Sequence, residues 1–444
     1  MGKRKTVLIL IWIPIILIGL LNIVTVFSPE IGFDSLWYHL TLPKLWLLKR
    51  QWYFKGGLLY YSVMPRITET LFIPLIKYFD FIGPKAFLFL SGVGTCIIIW
   101  KITDRLKFST ILKSVSVSLF YCTWLVSWQS GSSYIDLFRT FLESVALLYL
   151  VSGKMIKGGI FIGLSIGTKW LSLGSLAIYA LVFGPILIIP AAIISSPWFF
   201  IAQKFTGNPL YPIFDTIIHN AFSSFQEIFT RLILLPLSLT FPFDDFLSPM
   251  IFVLVIMAVF SLYSRQKDVR KISQIGLLGA IFSQVLDPPS SRYFLPYLPA
   301  IIIAAVAFVS KMKDKYASVF VSLCILSSLM IFGLRFVAVK KYFPYILGKQ
   351  NTNTFLTTQA SRLPDTFIDS DEFVKNNIPE ESRILIDKLH NLYYFPHNFD
   401  HTSWANPEQD YDFLITTNTD QSEVNGTLVH TNIVGIQIFK LNNK

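Results

Sequence analysis

VLILIWIPIILIGLLNIVTVF (Val7–Phe27), followed at once by SPEIGFDSLWYHLTLPK (Ser28–Lys44), decides how this chain is to be read. The first part carries no charge and is long enough to cross a hydrocarbon core as a helix rising about 1.5 Å per residue. Lys3, Arg4 and Lys5 precede it as they would a signal peptide. The apolar run is nevertheless too long for one and no small-residue cleavage site follows, so it reads as a retained first span. The second part brings an acid, a phenol, an imidazole and an amine (Asp34, Tyr38, His39, Lys44) together just past the end of that span. Its aromatic and apolar residues at near-helical spacing, broken by Pro43, predict short helices lying in a membrane interface.

The rest of the chain agrees. Among 444 residues, 53% are hydrophobic and 15% charged, and the mean hydropathy is +0.55; an ordinary soluble enzyme is neither so apolar nor so poor in charge. Further apolar runs at Ala86–Trp100, Ile111–Trp128, Ser133–Val151, two short or tilted ones within Gly158–Gly184, then Pro185–Phe205, Phe246–Ser264, Ile272–Leu286, Tyr293–Ser310 and Tyr316–Phe336 predict an α-helical polytopic membrane protein of about eleven spans. With the N-terminus in the cytoplasm, the basic loops around Lys101–Lys113, Lys154/Lys157, Arg265–Lys271 and Lys311–Lys315 all fall inside, as the positive-inside rule demands. The net charge of +11 is therefore a topology signal, and no nucleic-acid partner is expected. Cys96, Cys122 and Cys324 lie in apolar runs and suggest neither disulfide nor metal.

That count places Ser28–Lys85, Gln129–Ser132, Thr206–Asp245 and Asp287–Arg292 on the extracytoplasmic face, together with everything after the last span. From about Phe343 the composition turns polar, and Ser370–Asn377 reads as a helix followed by strands at Arg383–Ile386, Phe413–Thr416 and Ile433–Phe439. The expected organisation is a transmembrane domain over residues 1–340 and a small soluble α/β domain over 341–444.

Polar residues with chemical potential gather on the same face. Helical spacing lets the Asp34 carboxylate meet Tyr38, and Trp37 on the same side, with His39 beside them: a general base with orienting partners. The plainer alternative is that Asp34 caps an interfacial helix. Asp136 stands near the outer end of the fourth span with Glu143 about two turns deeper. Charge in that position is expensive unless used, the alternative being an internal pair with Arg139. Lys169 interrupts an apolar stretch at an outer turn and Arg292 heads the tenth span. Either cation suits a lipid-linked phosphate, and either could instead be an interfacial anchor. Gly207–Pro212 reads most simply as a turn. No phosphate-binding glycine loop, dinucleotide fingerprint, zinc-ligand spacing or Ser/His/Asp motif is visible, so no nucleotide or flavin is expected.

The first-loop acid, the interfacial helices and the many spans resemble the GT-C superfamily of membrane glycosyltransferases, which includes protein O-mannosyltransferases and the aminoarabinose transferases of lipid A. Phe33–Lys44, Tyr60–Pro65, Gly167–Lys169, Gly207–Pro212 and Arg292–Pro296 are similar to bacterial mannosyltransferase-like and RgtA/B/C/D-like members. The resemblance runs from Val7 to about Phe336. It implies transfer of a monosaccharide, with inversion, from a polyprenyl-phosphate-sugar donor to an extracytoplasmic glycan, lipid or protein. Asp34 would be the acceptor-activating acid, Asp136 the second acid, and Tyr38, His39, Lys44, Lys169 and Arg292 the substrate-binding set, with the two cations of the later loops on the leaving phosphate. Many relatives carry adjacent acids in the first loop, whereas Ser35 follows Asp34 here. Some members use a divalent metal and others none, which leaves the metal requirement open. Competing readings are a lipid-linked glycan polymerase or ligase, which would use an oligosaccharide diphosphate, and a transporter or flippase, whose charges should gather at the bilayer midplane.

Overall fold

The N-terminal apolar run forms α1 (Gly2–Val26), with Ile9, Ile16 and Leu20 exposed on one side and Ile11, Ile15 and Ile18 buried on the other. A helix as apolar outside as inside faces lipid on its outer side. This computed structural model describes residues 2–50, 52, 56–212, 223–242 and 245–442. After α1 the first long loop folds into a π-turn (Ser35–His39), α2 (Thr41–Lys49), a 3₁₀ segment (Gly57–Val63) and α3 (Ile67–Phe79). These are the short interfacial helices expected there. The bundle continues through α4 (Ile82–Arg105), α5 (Thr110–Tyr121), α6 (Trp124–Gln129), α7 (Asp136–Val151), α8 (Met155–Thr168), α9 (Ser172–Phe183) and α10 (Ile188–Thr206). It closes with α11 (Phe225–Ser238), α12 (Ile251–Ser261), α13 (Lys267–Val285), α14 (Ser291–Phe294), α15 (Leu298–Val309) and α16 (Asp314–Val339).

A helix or a broken helix covers each apolar run read from the sequence. Among the described residues, five helical stretches are long and apolar enough to cross a membrane: Arg4–Val26, Ile82–Arg105, Pro185–Thr206, Ser291–Val309 and Asp314–Ile346. The stretch Gly158–Gly184, where two short or tilted spans are expected, holds the short apolar helices α8 and α9, separated by residues 169–171. The breaks are local in origin. Thr123, just past the Cys122 cap of α5, caps α6 with its hydroxyl, and Ser224 with Glu227 forms a capping box that starts α11. Of the segment Thr206–Asp245, residues 213–222 and 243–244 lie outside the described residues.

The tail adds α17 (Phe343–Ile346), α18 (Thr352–Gln359), α19 (Phe373–Asn377) and strands β1 (Ile384–Ile386), β2 (Asp400–His401), β3 (Phe413–Thr417), β4 (Gly426–Thr431) and β5 (Ile436–Leu441). The strands form one mixed sheet in the order β2-β1-β3-β5-β4; β1 runs parallel to β2 and β3, and β5 antiparallel to β3 and β4. Strands β2 and β4 were not evident in the sequence, the first being only two residues long and the second having its more buried positions filled by Gly426, Leu428 and His430 rather than by a row of large apolar side chains.

The sheet domain sits on the first loop rather than beside it. Leu42, Leu45, Trp46 and Leu59 of the loop share one apolar core with Phe367, Phe395, Ile415 and Ile438 of the tail. Gly57, at φ +60°, allows the closest approach, since a Cβ there would collide with Ser403.

Candidate active site

A cavity of about 570 Å³ opens between the first loop, the α8–α9 turn and the segment leading into α14. Asp34, Tyr38, His39, Lys169 and Arg292 all line it. Five of the seven residues singled out in the sequence thus reach one space from three distant parts of the chain.

Asp34 ends the short link after α1 and starts the π-turn, closed by Leu40 N donating to Ser35 O at 2.9 Å. The widened turn carries Tyr38 back over Asp34, and the phenol donates to Asp34 Oδ2 at 3.4 Å. Trp37 turns away, donating its indole N–H to Leu58 O at 3.1 Å and stacking with His390 of the sheet domain. Tyr134 braces the acid from the other side, its hydroxyl accepting the Asp34 backbone N–H at 3.3 Å. Asp34 does not cap a helix: its side chain makes no cap hydrogen bond.

Arg292 is the centre of the cluster. Its Nη1 donates to Asp34 Oδ2 at 2.7 Å and its Nε to Asp136 Oδ2 at 2.8 Å, while its guanidinium lies 4.5 Å from the Tyr134 ring centroid. The segment that presents it is held by Ser290, whose hydroxyl accepts Arg292 N, and by Asp245, which accepts Ser291 N at 2.7 Å. Lys169 Nζ donates to Asp136 Oδ1 at 2.7 Å. Asp136 therefore pairs with Lys169 and Arg292, and the alternative pairing with Arg139 does not form; Arg139 bonds Glu143 instead. Exposure separates the two acids. The Asp34 side chain is 20% accessible and that of Asp136 0%, so of these two acids Asp34 is the one open to the cavity.

Lys44 lies elsewhere. Its ammonium donates to the Tyr393 and Phe395 carbonyls at 2.7 and 2.9 Å, clamping the sheet domain to α2, and burial pushes its pKa down to about 8. His39 is at the cavity wall but fully buried, its Nδ1 2.6 Å from Glu69 Oε1. Burial lowers the His39 pKa more than Glu69 raises it, so the ring is neutral and donates from Nδ1. Burial alone would raise Glu69, but Arg66 and His39 outweigh it and hold the carboxyl below its ordinary range. Arg66, with Nη1 at 2.7 Å from Glu69, and Tyr134 and Glu69 were missed in the sequence. The only available signal was the i,i+3 spacing of Arg66 and Glu69. Among the described residues, no group of three or more His, Cys, Asp and Glu side chains converges as metal ligands would.

Fold and site together define a polytopic helical membrane protein whose first loop, roofed by a small sheet domain, walls a cation-and-acid cavity. The many-helix architecture with a small C-terminal sheet domain that the sequence implies is the one found. Among solved structures the chain is similar to ArnT from Cupriavidus metallidurans bound to undecaprenyl phosphate, with a TM-score of 0.65 and 12% identity over 99% of each chain. It is also similar to the same protein in the apo state, with a TM-score of 0.64 and 12% identity over 100% of each chain. The alignment spans the helices and the sheet domain alike. No family model and no curated protein matches the sequence.

Proposed function

We propose that this protein is a glycosyltransferase that takes a sugar from a polyprenyl-phosphate carrier and passes it to a hydroxyl on an extracytoplasmic glycan, lipid or protein. The observation that carries the reading is the Asp34–Arg292–Asp136–Lys169 cluster: one accessible carboxylate beside two cations held by a buried carboxylate. The ArnT-like fold supports it, since one of those ArnT structures holds undecaprenyl phosphate. A phosphodiester entering the cavity would find Lys169 and Arg292 ready to share its charge. As Arg292 turns to the phosphate it loosens its hold on Asp34, which then accepts the proton of the acceptor hydroxyl. That oxygen forms the new bond to the anomeric carbon with inversion, the bond from that carbon to the phosphate oxygen breaks, and polyprenyl phosphate leaves with its charge matched by both cations. Tyr38 and Tyr134 orient Asp34, Asp136 orients the cations, and neutral His39 with Glu69 fixes the wall beside Tyr38.

In this reading the basic loops face the cytoplasm, as does the N-terminus, and the cavity and the domain over 341–444 lie outside. The bilayer supplies both donor and solvent. The decisive experiment incubates membranes carrying the wild-type protein with a panel of radiolabelled donors, polyprenyl-phosphate monosaccharides and lipid-linked oligosaccharide diphosphates. Transfer or slow hydrolysis of one donor supports the proposal; consumption of oligosaccharide diphosphate donors alone replaces it with the polymerase reading.

A further inference from the structure

About one and two turns below Asp136 along α7, Arg139 Nε donates to Glu143 Oε1 at 2.9 Å, with both side chains essentially sealed from solvent at 1% and 0% accessibility. This pair takes no part in the chemistry described above. A buried ion pair costs desolvation that packing alone would not require, and this one leaves Arg139 Nη1 and Glu143 Oε2 without a hydrogen-bond partner among the described residues. Its contacts are informative. The same Glu143 oxygen accepts the hydroxyls of Ser165 at 3.1 Å and Ser172 at 3.0 Å, and those two hydroxyls are 2.8 Å apart. Ser165 lies in the last turn of α8 and Ser172 begins α9. Lys169 sits between them in extended conformation, at φ −152° and ψ 121°. One carboxylate oxygen thus grips both sides of the break that presents the cavity lysine. Arg139 Nη2 donates to Ser175 at 3.2 Å, and Ser175 is 2.7 Å from the Tyr297 hydroxyl, which belongs to the helical stretch Ser291–Val309 that starts beside Arg292.

We propose that Arg139–Glu143 is a positioning pair: through Ser165, Ser172, Ser175 and Tyr297 it fixes the two backbone segments that carry Lys169 and Arg292, and so sets the spacing of the cations. Its value for phosphate binding rests on the reading of the cavity given above; the positioning itself does not.

The test uses the full chain in lipid nanodiscs as wild type, as Ser165→Ala/Ser172→Ala, which leaves the ion pair intact, and as Ser165→Thr/Ser172→Thr, which restores the hydroxyls. Acylation of Lys169 by a water-soluble amine-reactive ester, mapped by mass spectrometry on the empty protein, is expected to run about fivefold faster in the alanine variant and at the wild-type rate in the threonine variant. Equal rates in all three overturn the positioning role, whether or not the cavity takes a lipid phosphate. Affinity for polyprenyl monophosphate, followed through the fluorescence of Trp170 at the cavity wall, is expected to fall about tenfold in the alanine variant. Unchanged affinity also overturns the proposal. A wild type that binds no polyprenyl monophosphate while the alanine variant still labels faster upholds the positioning and strikes only the donor reading. Should the double alanine variant lose its melting transition, Ser172→Ala alone carries the same comparison.

Discussion

The two ends of one short segment, Phe33–Lys44, do opposite work. At its start Asp34 faces an open cavity, 20% accessible and held by Tyr38 of the same turn and by Arg292 and Tyr134 from two other parts of the fold. At its end Lys44 faces inward, gives its protons to two backbone carbonyls of the sheet domain, and sits in an apolar seam with Leu42 and Leu45. Both are partly buried charged groups within three turns of one another, yet the first lines the cavity and the second is engaged by backbone carbonyls outside it. Charge alone therefore does not mark a reactive residue. What distinguishes them is whether the fold leaves an approach to the charge or closes a partner over it.

That contrast can be broken by substitution. The largest expected effect is at Asp34: Asp34→Asn should lower kcat/KM for sugar transfer about a thousandfold without weakening polyprenyl phosphate binding, because it removes a negative charge from the phosphate's neighbourhood. Full activity in that variant would remove the general base from the mechanism. Next comes Arg292→Gln, which should cost about a hundredfold in transfer and, unlike Asp34→Asn, should raise the donor KM; a kcat loss with unchanged KM would place the guanidinium on the acceptor side.

At the other end, Lys44→Met should leave two buried carbonyls unpaired and weaken docking of the sheet domain by about 1–3 kcal/mol. Limited proteolysis of the tail should speed up while transfer per intact molecule stays within a few-fold of wild type. If Lys44→Met instead matched Asp34→Asn in lost transfer and left the tail protected, the division of the segment would be wrong. The smallest effect concerns pH. Burial lowers the Lys44 pKa from 10.5 to about 8, so between those values the folded protein holds fewer protons than the unfolded chain. Stability contributed at this site must then rise as pH increases through that window. The melting temperature of wild type relative to Lys44→Met should climb between pH 8 and 9.5, and a flat or falling difference would contradict the burial of a charged amine.

Much of the site was legible because some residue types are out of place where they stand. Asp34 just beyond an apolar span, Asp136 near a helix end, Lys169 in an apolar stretch and Arg292 at the head of another each interrupt a pattern that a lipid-facing chain would otherwise keep. Lys44 was misleading because it shares the motif without sharing the space. Arg66, Glu69 and Tyr134 gave no comparable signal, since a charged pair in a loop outside the spans and a tyrosine at the end of an apolar run interrupt nothing.

Hydrophobic run length and the placement of basic loops, properties of the chain in order, were enough to determine a polytopic membrane protein with short interfacial helices after its first span and a polar α/β tail. Those patterns follow from the cost of exposing backbone and charge to lipid, which acts on each segment locally. Tertiary structure alone decided that Arg292 bridges Asp34 and Asp136, that Asp136 takes Lys169 rather than Arg139, and that the tail roofs the first loop. Such pairings join residues from 33 to 258 positions apart and more, and the free energy that selects among them comes from burying charges in complementary sets, which no local pattern records.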